Sequence, residues 1–266
     1  MLLRIRLCRA MVSKMQIGLT QLQAEFIFTA QILRRYWFNN LVGTFVDLVY
    51  FYAILVAVRN LVPGENLPGT SSLVLIYAVL QLTLGFYVSV YHFIRTDALQ
   101  GTLEHMALAR GGLLYQLFMR LLAHGTVILG QTLLVLLILL ALTGVTLKVT
   151  SWWPLGVGAV LLAAIGISLL MGALTLYFRE INSLFTLIQF TLIPYFLSFI
   201  QWQPYMAYLP FAPGAHLVRL GLTGGEFDRE IFLLALLQGL LLFGAGLWAM
   251  VSMYRLVRRR GVLGRF

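Results

Sequence analysis

The chain has 266 residues, of which 61% are hydrophobic and only 11% are charged. Globular domains carry about 25% charged residues, so this composition excludes a soluble enzyme, a disordered chain and, with Cys8 as the single cysteine, a disulfide-stabilised secreted domain. The formal net charge is +10, but the basic residues lie at the ends of apolar runs, which is typical of a membrane protein and excludes nucleic acid as a partner.

The N-terminal segment, residues 1–37, is predicted to be a cytoplasmic tail followed by an amphipathic helix. Apolar residues recur at steps of three and four from Val12 to Leu33, with polar residues between them. A helix of this kind next to a span is expected in the membrane interface, in contact with lipid. Packing on a partner protein is the alternative.

The region 38–254 is predicted to be an all-α transmembrane domain with six spans, because spanning a bilayer takes about 20 apolar residues. The predicted spans are Leu41–Val58, Leu73–Ile94, Gly125–Leu147 (or an earlier start near Leu113), Pro154–Phe178, Leu184–Ile200 and Ile231–Tyr254.

The segment 204–222 is apolar but contains Pro204, Pro210 and Pro213. Each proline removes a backbone donor or clashes with the preceding turn, so one straight span is excluded. Unpaired backbone is tolerated at membrane depth only when protein surrounds it. We therefore expect two short re-entrant helices on the outer side, before the last span.

The distribution of charge predicts the orientation. With both termini in the cytoplasm, 15 of the 19 basic residues lie inside, including those of a basic tail over residues 255–266. The four outer basic residues are Arg59, Lys148, Arg219 and Arg229. The positive-inside rule therefore favours a multi-pass protein of the cell inner (plasma) membrane with cytoplasmic N and C termini.

The sequence contains no recognisable catalytic or metal-binding pattern. HExxH, GxSxG and CxxC are absent, and the four histidines lie at no metal-ligand spacing. The two lysines, Lys14 and Lys148, do not follow glycine, so the chain has no phosphate-binding loop. We expect a transport subunit without catalytic residues, metal or cofactor of its own.

Polar and aromatic residues within the spans are candidates for a substrate route. An intramembrane acid such as Asp47 costs at least about 2.5 kcal/mol on insertion scales, so it should face the bundle interior or water. Central glutamines, including Gln131 and Gln238, need partners and are equally compatible with bonds between helices. The route candidates are Asp47, Gln81, Phe185, Gln189 and Tyr195. The fourth span also holds glycines that predict close helix packing: Gly156, Gly158, Gly166 and Gly172.

The inner loop 95–112 carries the strongest local pattern. Gly101-Thr102 is expected to begin a short helix with Thr102 as its N-cap. Leu103, Met106 and Leu108 are expected to form an exposed apolar patch, which would suit docking of a soluble partner. Three charged residues frame this patch: Asp97, Glu104 and Arg110.

This loop resembles the coupling-helix signature of ABC-2 type membrane subunits, the permeases of ATP-binding-cassette exporters. The resemblance rests on Gly101-Thr102-Leu103-Glu104 followed by Leu108. Asp97 lies slightly early, and Arg110-Gly111 replaces the Ser-Pro of that family. Three further segments extend the resemblance: Arg34-Arg35-Tyr36, Tyr177-Phe178-Arg179 and Tyr208-Leu209-Pro210.

The resemblance implies that two permease copies form a homodimer and that each binds a separate cytoplasmic ATPase subunit, which holds ATP and Mg. It implies contact with the ATPase for these residues: Asp97, Gly101, Thr102, Leu103, Glu104, Met106, Leu108, Arg110, Arg179 and Glu180. The short outer loops favour an amphiphilic or lipid-like substrate, with a lipid-linked polysaccharide as the alternative. The rival functions are an ATPase-independent secondary transporter or channel, with Asp47 as its ion site, and a membrane enzyme acting on lipid.

Overall fold

A computed structural model describes residues 20–61, 70–109, 111–178, 181–198 and 202–259. Within these ranges the chain is helical apart from short connections and one isolated backbone bridge between Lys148 and Thr223. The helices are α1 (20–35), α2 (Trp37–Leu61), α3 (Thr70–Leu99), α4 (Leu103–Leu108), α5 (Gly112–Thr143), α6 (Trp153–Phe178), α7 (Asn182–Ser198), a 3-10 helix (Pro204–Tyr208), α8 (Ala212–Thr223) and α9 (Arg229–Arg259).

Within the described ranges, five helices are long and apolar enough to cross a membrane: α2 over Trp37–Ala57, α3, α5, α6 and α9. These five apolar helices are the helices of a multi-pass membrane protein. The predicted fifth span, 184–200, corresponds to α7, which has 17 residues, and residues 199–201 lie outside the described ranges. The count of six spans therefore stays a prediction.

The third span differs from the expected Gly125–Leu147. Helix α5 begins at Gly112, close to the alternative start near Leu113, because Leu113, Leu117 and Leu121 form a buried stripe that belongs to the core. It ends at Thr143, before the predicted end, since Gly144 adopts a left-handed conformation with φ of 66° and donates its N–H to the Leu140 carbonyl.

The centre of the bundle is formed by α3 and α6. Helix α3 is buried on nearly all its faces, and α6 packs along α9 on one side and α3 on the other. The predicted close packing at the glycines of α6 is confirmed at three positions. Gly156 meets the backbone of α8, Gly166 meets the backbone of α9, and Gly172 meets Val90 of α3. At Gly158 the prediction is wrong, because no neighbour lies within 4 Å of a Cβ placed there.

The bundle has two distinct ends, separated by the length of α5, about 48 Å for 32 residues. Helix α4 lies at the end where α3 finishes and α5 begins. At the other end, α8 pairs with the connection that follows α5: Lys148 donates its N–H to the Leu222 carbonyl at 3.1 Å, and Thr150 donates to the Gly221 carbonyl at 2.8 Å.

The segment 204–222 folds as the 3-10 helix and α8, with Pro210 between the two helices and Pro213 in the first turn of α8. Its position relative to a membrane stays a prediction, as do the interfacial location of α1 and the sides of the termini. Helix α1 leads into α2 through a turn at Tyr36, where the backbone bonds from Tyr36 to Ile32 and from Asn40 to Tyr36 continue. The basic residues Arg258 and Arg259 belong to α9, which extends beyond the predicted span end at Tyr254.

Candidate functional site

The end of α3 is closed by a C-capping motif at Gly101 and Thr102. Gly101 has φ of 69°, Thr102 donates its N–H to the Asp97 carbonyl at 2.9 Å, and Gly101 donates to the Ala98 carbonyl at 3.1 Å. These two bonds are the pair that defines a Schellman motif. The Gly-Thr dipeptide therefore terminates α3, a role that the sequence analysis did not assign to it.

Helix α4 begins at Leu103 with Thr102 at its N-cap position, as expected. The Thr102 side chain makes no capping bond to α4. Its hydroxyl donates back to α3 instead, to the Asp97 carbonyl oxygen at 3.2 Å, and lies 3.4 Å from the Asp97 carboxylate. The hydroxyl is drawn to α3 because the Schellman turn brings Thr102 next to Asp97.

The prediction that Leu103, Met106 and Leu108 form one exposed apolar patch is wrong. Leu103 is only 1% exposed and belongs to the core, and Met106 is half-buried against it, whereas Leu108 is 85% exposed. Positions three apart share a face of a helix, so Leu103 and Met106 point together into the bundle. The outward face consists of Glu104, His105 and Leu108.

A largely buried ion pair supports this corner of the structure. Asp97 is 4% exposed, and its carboxylate accepts a hydrogen bond from Arg120 of α5 at 2.7 Å. The Arg120 guanidinium also lies 3.7 Å from the Glu25 carboxylate of α1 and 5.5 Å from the centre of the Phe93 ring. One side chain thereby joins α1, α3 and α5.

Asp97 therefore faces the interior of the chain, and it supports α4 without lying on its outward surface. The sequence analysis missed Arg120 as the partner of Asp97, and Glu25 as the second acid beside Arg120. The only available signal was the buried stripe of Leu113, Leu117 and Leu121, which identifies this part of α5 as core.

Three predicted coupling residues, Arg110, Arg179 and Glu180, lie outside the described residues. At the start of α7, the Asn182 side chain accepts a hydrogen bond from Arg95 of α3 at 2.9 Å, and the Tyr91 hydroxyl also bonds Asn182. These contacts fix the start of α7 beside the end of α3.

A small polar cavity of about 110 Å³ lies between α2, α3 and α5. Its polar lining consists of Asp47, Gln81, Gln131 and Thr132. Tyr77 is fixed close by, since it donates to the Asp47 carbonyl oxygen and accepts from the Gln81 amide at 2.7 Å. Asp47 is thus at an interior cavity, as expected of a costly intramembrane acid.

The remaining route candidates do not join this cavity. Phe185 packs against Tyr87 and Tyr91 in a separate aromatic cluster, and Gln189 is exposed on α7. Tyr195 donates its hydroxyl to the Pro210 carbonyl at 2.6 Å. Of the five candidates, the structure brings together only Asp47 and Gln81. It adds Gln131, which the sequence analysis named among the central glutamines but not among the five route candidates.

A larger apolar groove of about 630 Å³ runs between α2 and α5 beside this cavity. It begins near Leu33 and Asn40 and continues past Phe45 and Gly130. Gln131 lines both the groove and the polar cavity, so the two spaces meet at its side chain.

The opposite end of the bundle carries a buried histidine. The His216 ring stacks on Trp202 with centroids 4.0 Å apart, and its Nδ1 lies 3.1 Å from the Arg219 guanidinium. Burial first, and then the positive charge of Arg219, lower the pKa of His216 to about 4. This histidine is therefore neutral at pH 7, a state that no sequence pattern indicated.

The described residues contain no cluster of three or more His, Cys, Asp or Glu that could hold a metal ion. In comparisons with known proteins, no protein-family model matches the chain, and no curated protein matches it either. What the molecule does must therefore be argued from its own geometry.

Proposed function

We propose that this chain is the permease subunit of an ATP-driven exporter of the ABC-2 type, coupled to a separate cytoplasmic ATPase subunit. The proposal is supported by the apolar helices α2, α3, α5, α6 and α9 and by the short helix α4 between two of them. In it, two copies of the chain form a homodimer in the inner (plasma) membrane. Each copy binds one ATPase subunit, which supplies ATP and Mg.

The observation that carries the proposal is the way α4 is attached. Its inward face is held by Leu103 in the core, and the Asp97–Arg120 pair ties its base to α3 and α5. A partner that presses on the outward face at Glu104 would therefore move the ends of two long helices. Coupling further requires that the ATPase contact this face differently in its two nucleotide states.

The substrate in this proposal is an amphiphile or lipid drawn from the bilayer, and the space between α2 and α5 is the described region that suits it best. A lipid-linked polysaccharide is the alternative cargo for the same architecture.

Reversing the charge on the outward face of α4 tests the proposal. Glu104→Arg is expected to lower substrate-stimulated ATP hydrolysis of the purified complex at least about tenfold without changing expression or thermal stability, because Glu104 is exposed and supports no packing. Glu226→Arg is the matched control, an exposed acid at the far end of the bundle that should leave hydrolysis unchanged. Equal hydrolysis in both variants would remove the coupling role of α4.

The orientation has its own test in a chain whose only native cysteine is removed by Cys8→Ser. Glu226→Cys should react with a membrane-impermeant thiol reagent from outside, and Arg258→Cys only from inside. If position 226 reacts only from the cytoplasm, the topology is wrong, and the exporter proposal falls with it.

A second candidate function is an ion-coupled secondary transporter or a channel without an ATPase. The favouring observation is the polar cavity at Asp47, which has no basic side chain among its lining residues. In this alternative, collapsing the membrane ion gradients would stop transport, while depleting ATP at a constant gradient would not. The exporter proposal predicts the reverse.

A further inference from the structure

The polar cavity and the apolar groove together have the form of a site for an amphiphile. The groove volume of about 630 Å³ falls within the roughly 300–1,000 Å³ of small-molecule sites. Its lining is almost entirely apolar, including Leu41, Phe45 and Leu134. The adjoining cavity of about 110 Å³ holds several times the volume that one water molecule needs and is polar on one side.

The chemistry of the cavity specifies the sign of the ligand's charge. Among the described residues, the ion pairs are those of Arg120 with Asp97 and Glu25, and none involves Asp47. A carboxylate removed from water is costly unless it is paired, so Asp47 favours a cation from outside the chain.

The neighbouring side chains specify the type of cation. A primary ammonium group has three N–H donors. The residues that line the cavity carry suitable acceptors: the Asp47 carboxylate, the amide groups of Gln81 and Gln131 and the Thr132 hydroxyl. An anionic head group would place a second negative charge beside the Asp47 carboxylate, and a purely apolar head group would supply no hydrogen-bond donor.

We propose that this chain binds single-chain amphiphiles with a primary ammonium head, the ammonium against Asp47 and the alkyl chain in the groove between α2 and α5. This deepens the proposed function by naming its substrate class, and it rests on that function only for transport, since binding needs no ATPase.

The test is equilibrium binding of radiolabelled dodecylamine to the full-length chain, without ATPase, in phosphatidylcholine nanodiscs at pH 7.5. Empty nanodiscs correct for partitioning into lipid. Unlabelled dodecanol and dodecanoate, which carry the same chain length with a neutral and an anionic head, serve as competitors. Dodecylamine is protonated at this pH, as a lysine side chain is.

The variants test the binding of the ammonium head group and the binding of the alkyl chain separately. Asp47→Asn keeps the shape of the side chain and removes its charge, and it is expected to weaken dodecylamine binding at least about tenfold. Gly130→Leu would fill the groove, because a Cβ at Gly130 meets nothing within 4 Å, and it should abolish binding. Gly158→Leu is the matched control, since that glycine is equally open but lies on α6, away from the groove, so binding should be unchanged.

Dodecanol and dodecanoate should compete with the radiolabelled dodecylamine at least about tenfold more weakly than unlabelled dodecylamine does. Equal competition by the three compounds, or equal affinity in Asp47→Asn, would show that the groove merely holds lipid tails and would overturn the proposal. Unchanged binding in Gly130→Leu would overturn the assignment of the groove. Ammonium-specific binding by a chain that purifies from its native membranes without an ATPase would leave the site intact and refute the exporter. ATP hydrolysis by the complex that dodecanol and dodecylamine stimulate equally would leave the exporter intact and refute the site.

Discussion

Removing the Asp97 carboxylate should destabilise the corner of the molecule that holds α4. Asp97 is 4% exposed, and its bond to Arg120 is 2.7 Å long. Deleting one partner of a buried ion pair costs about 3–5 kcal/mol, because the other charge is left without compensation. Glu25 remains 3.7 Å from Arg120 and retains part of that compensation, so the lower end of the range, about 3 kcal/mol, is expected for Asp97→Ala.

The assay is a double-mutant cycle in detergent micelles, with the free energy of unfolding measured for Asp97→Ala, Arg120→Ala and the double variant. The expected coupling energy is about 1.5–3 kcal/mol, the range for a hydrogen bond to a charged group. Glu104→Ala, at an exposed position of the same corner, is the control and should change stability by less than about 0.5 kcal/mol.

Hydrogen exchange of the α4 backbone amides provides a second readout. It should accelerate in Asp97→Ala, because the Asp97 carboxylate no longer holds Arg120 and the Thr102 hydroxyl beneath the helix. A coupling energy below about 0.5 kcal/mol, together with unchanged exchange in α4, would refute the view that this pair supports the helix.

Three further predictions concern the interior and the far end of the bundle. Asp47→Asn should reduce transport with normal expression, and Asp47→Leu should reduce it further because the Gln81 side chain would also lose a hydrogen-bond partner; equal, normal transport in both would exclude Asp47 from the route. Gly166→Leu should lower the yield of folded protein severely, because a Cβ there would lie 2.5 Å from the Leu242 backbone, whereas Gly158→Leu should fold normally; similar yields would contradict the close packing of α6 on α9. The pKa of His216, about 4, lies below the 6.5 of an unfolded histidine, so the unfolded state takes up the proton first, and the melting temperature should fall as the pH drops from 6.5 towards 4. His216→Gln should remove part of that fall, and an identical pH profile would show that other groups cause it.

The long helices could be predicted from the sequence because their signal is strong and local. About 20 consecutive apolar residues have few structural alternatives to a span, and the prolines at 210 and 213 exclude a straight helix whatever surrounds them. The boundary of α5 was harder to place, since the leucines at 113, 117 and 121 lie in a stretch interrupted by Arg120. Its acidic neighbours, Asp97, 23 residues earlier in the chain, and Glu25, explain why that arginine is tolerated there.

The sequence predicted where the candidate site lies in the chain, but not which of its residues are exposed. The loop 95–112 was identified correctly as carrying a short helix, but six residues are fewer than two turns and show no periodicity that reveals the inward face. Leu103 was therefore expected to be exposed. Likewise, Asp47 and Gln81 were recognised as costly intramembrane groups, but their meeting with Gln131 at one cavity depends on how α2, α3 and α5 pack.

The central claim, that this chain works with an ATPase on a separate polypeptide, is tested most directly by purifying the tagged chain from the membranes of its native cell and measuring ATP hydrolysis by the complex. The sequence contains no GxxxxGK[ST] phosphate-binding loop, so the proposal assigns the hydrolysis to a partner chain. The account predicts a nucleotide-binding subunit in equal amount with this chain, magnesium-dependent hydrolysis, and a loss of substrate-stimulated hydrolysis in Glu104→Arg. A chain that purifies intact and folded, transports its substrate after reconstitution and carries no ATPase would contradict it.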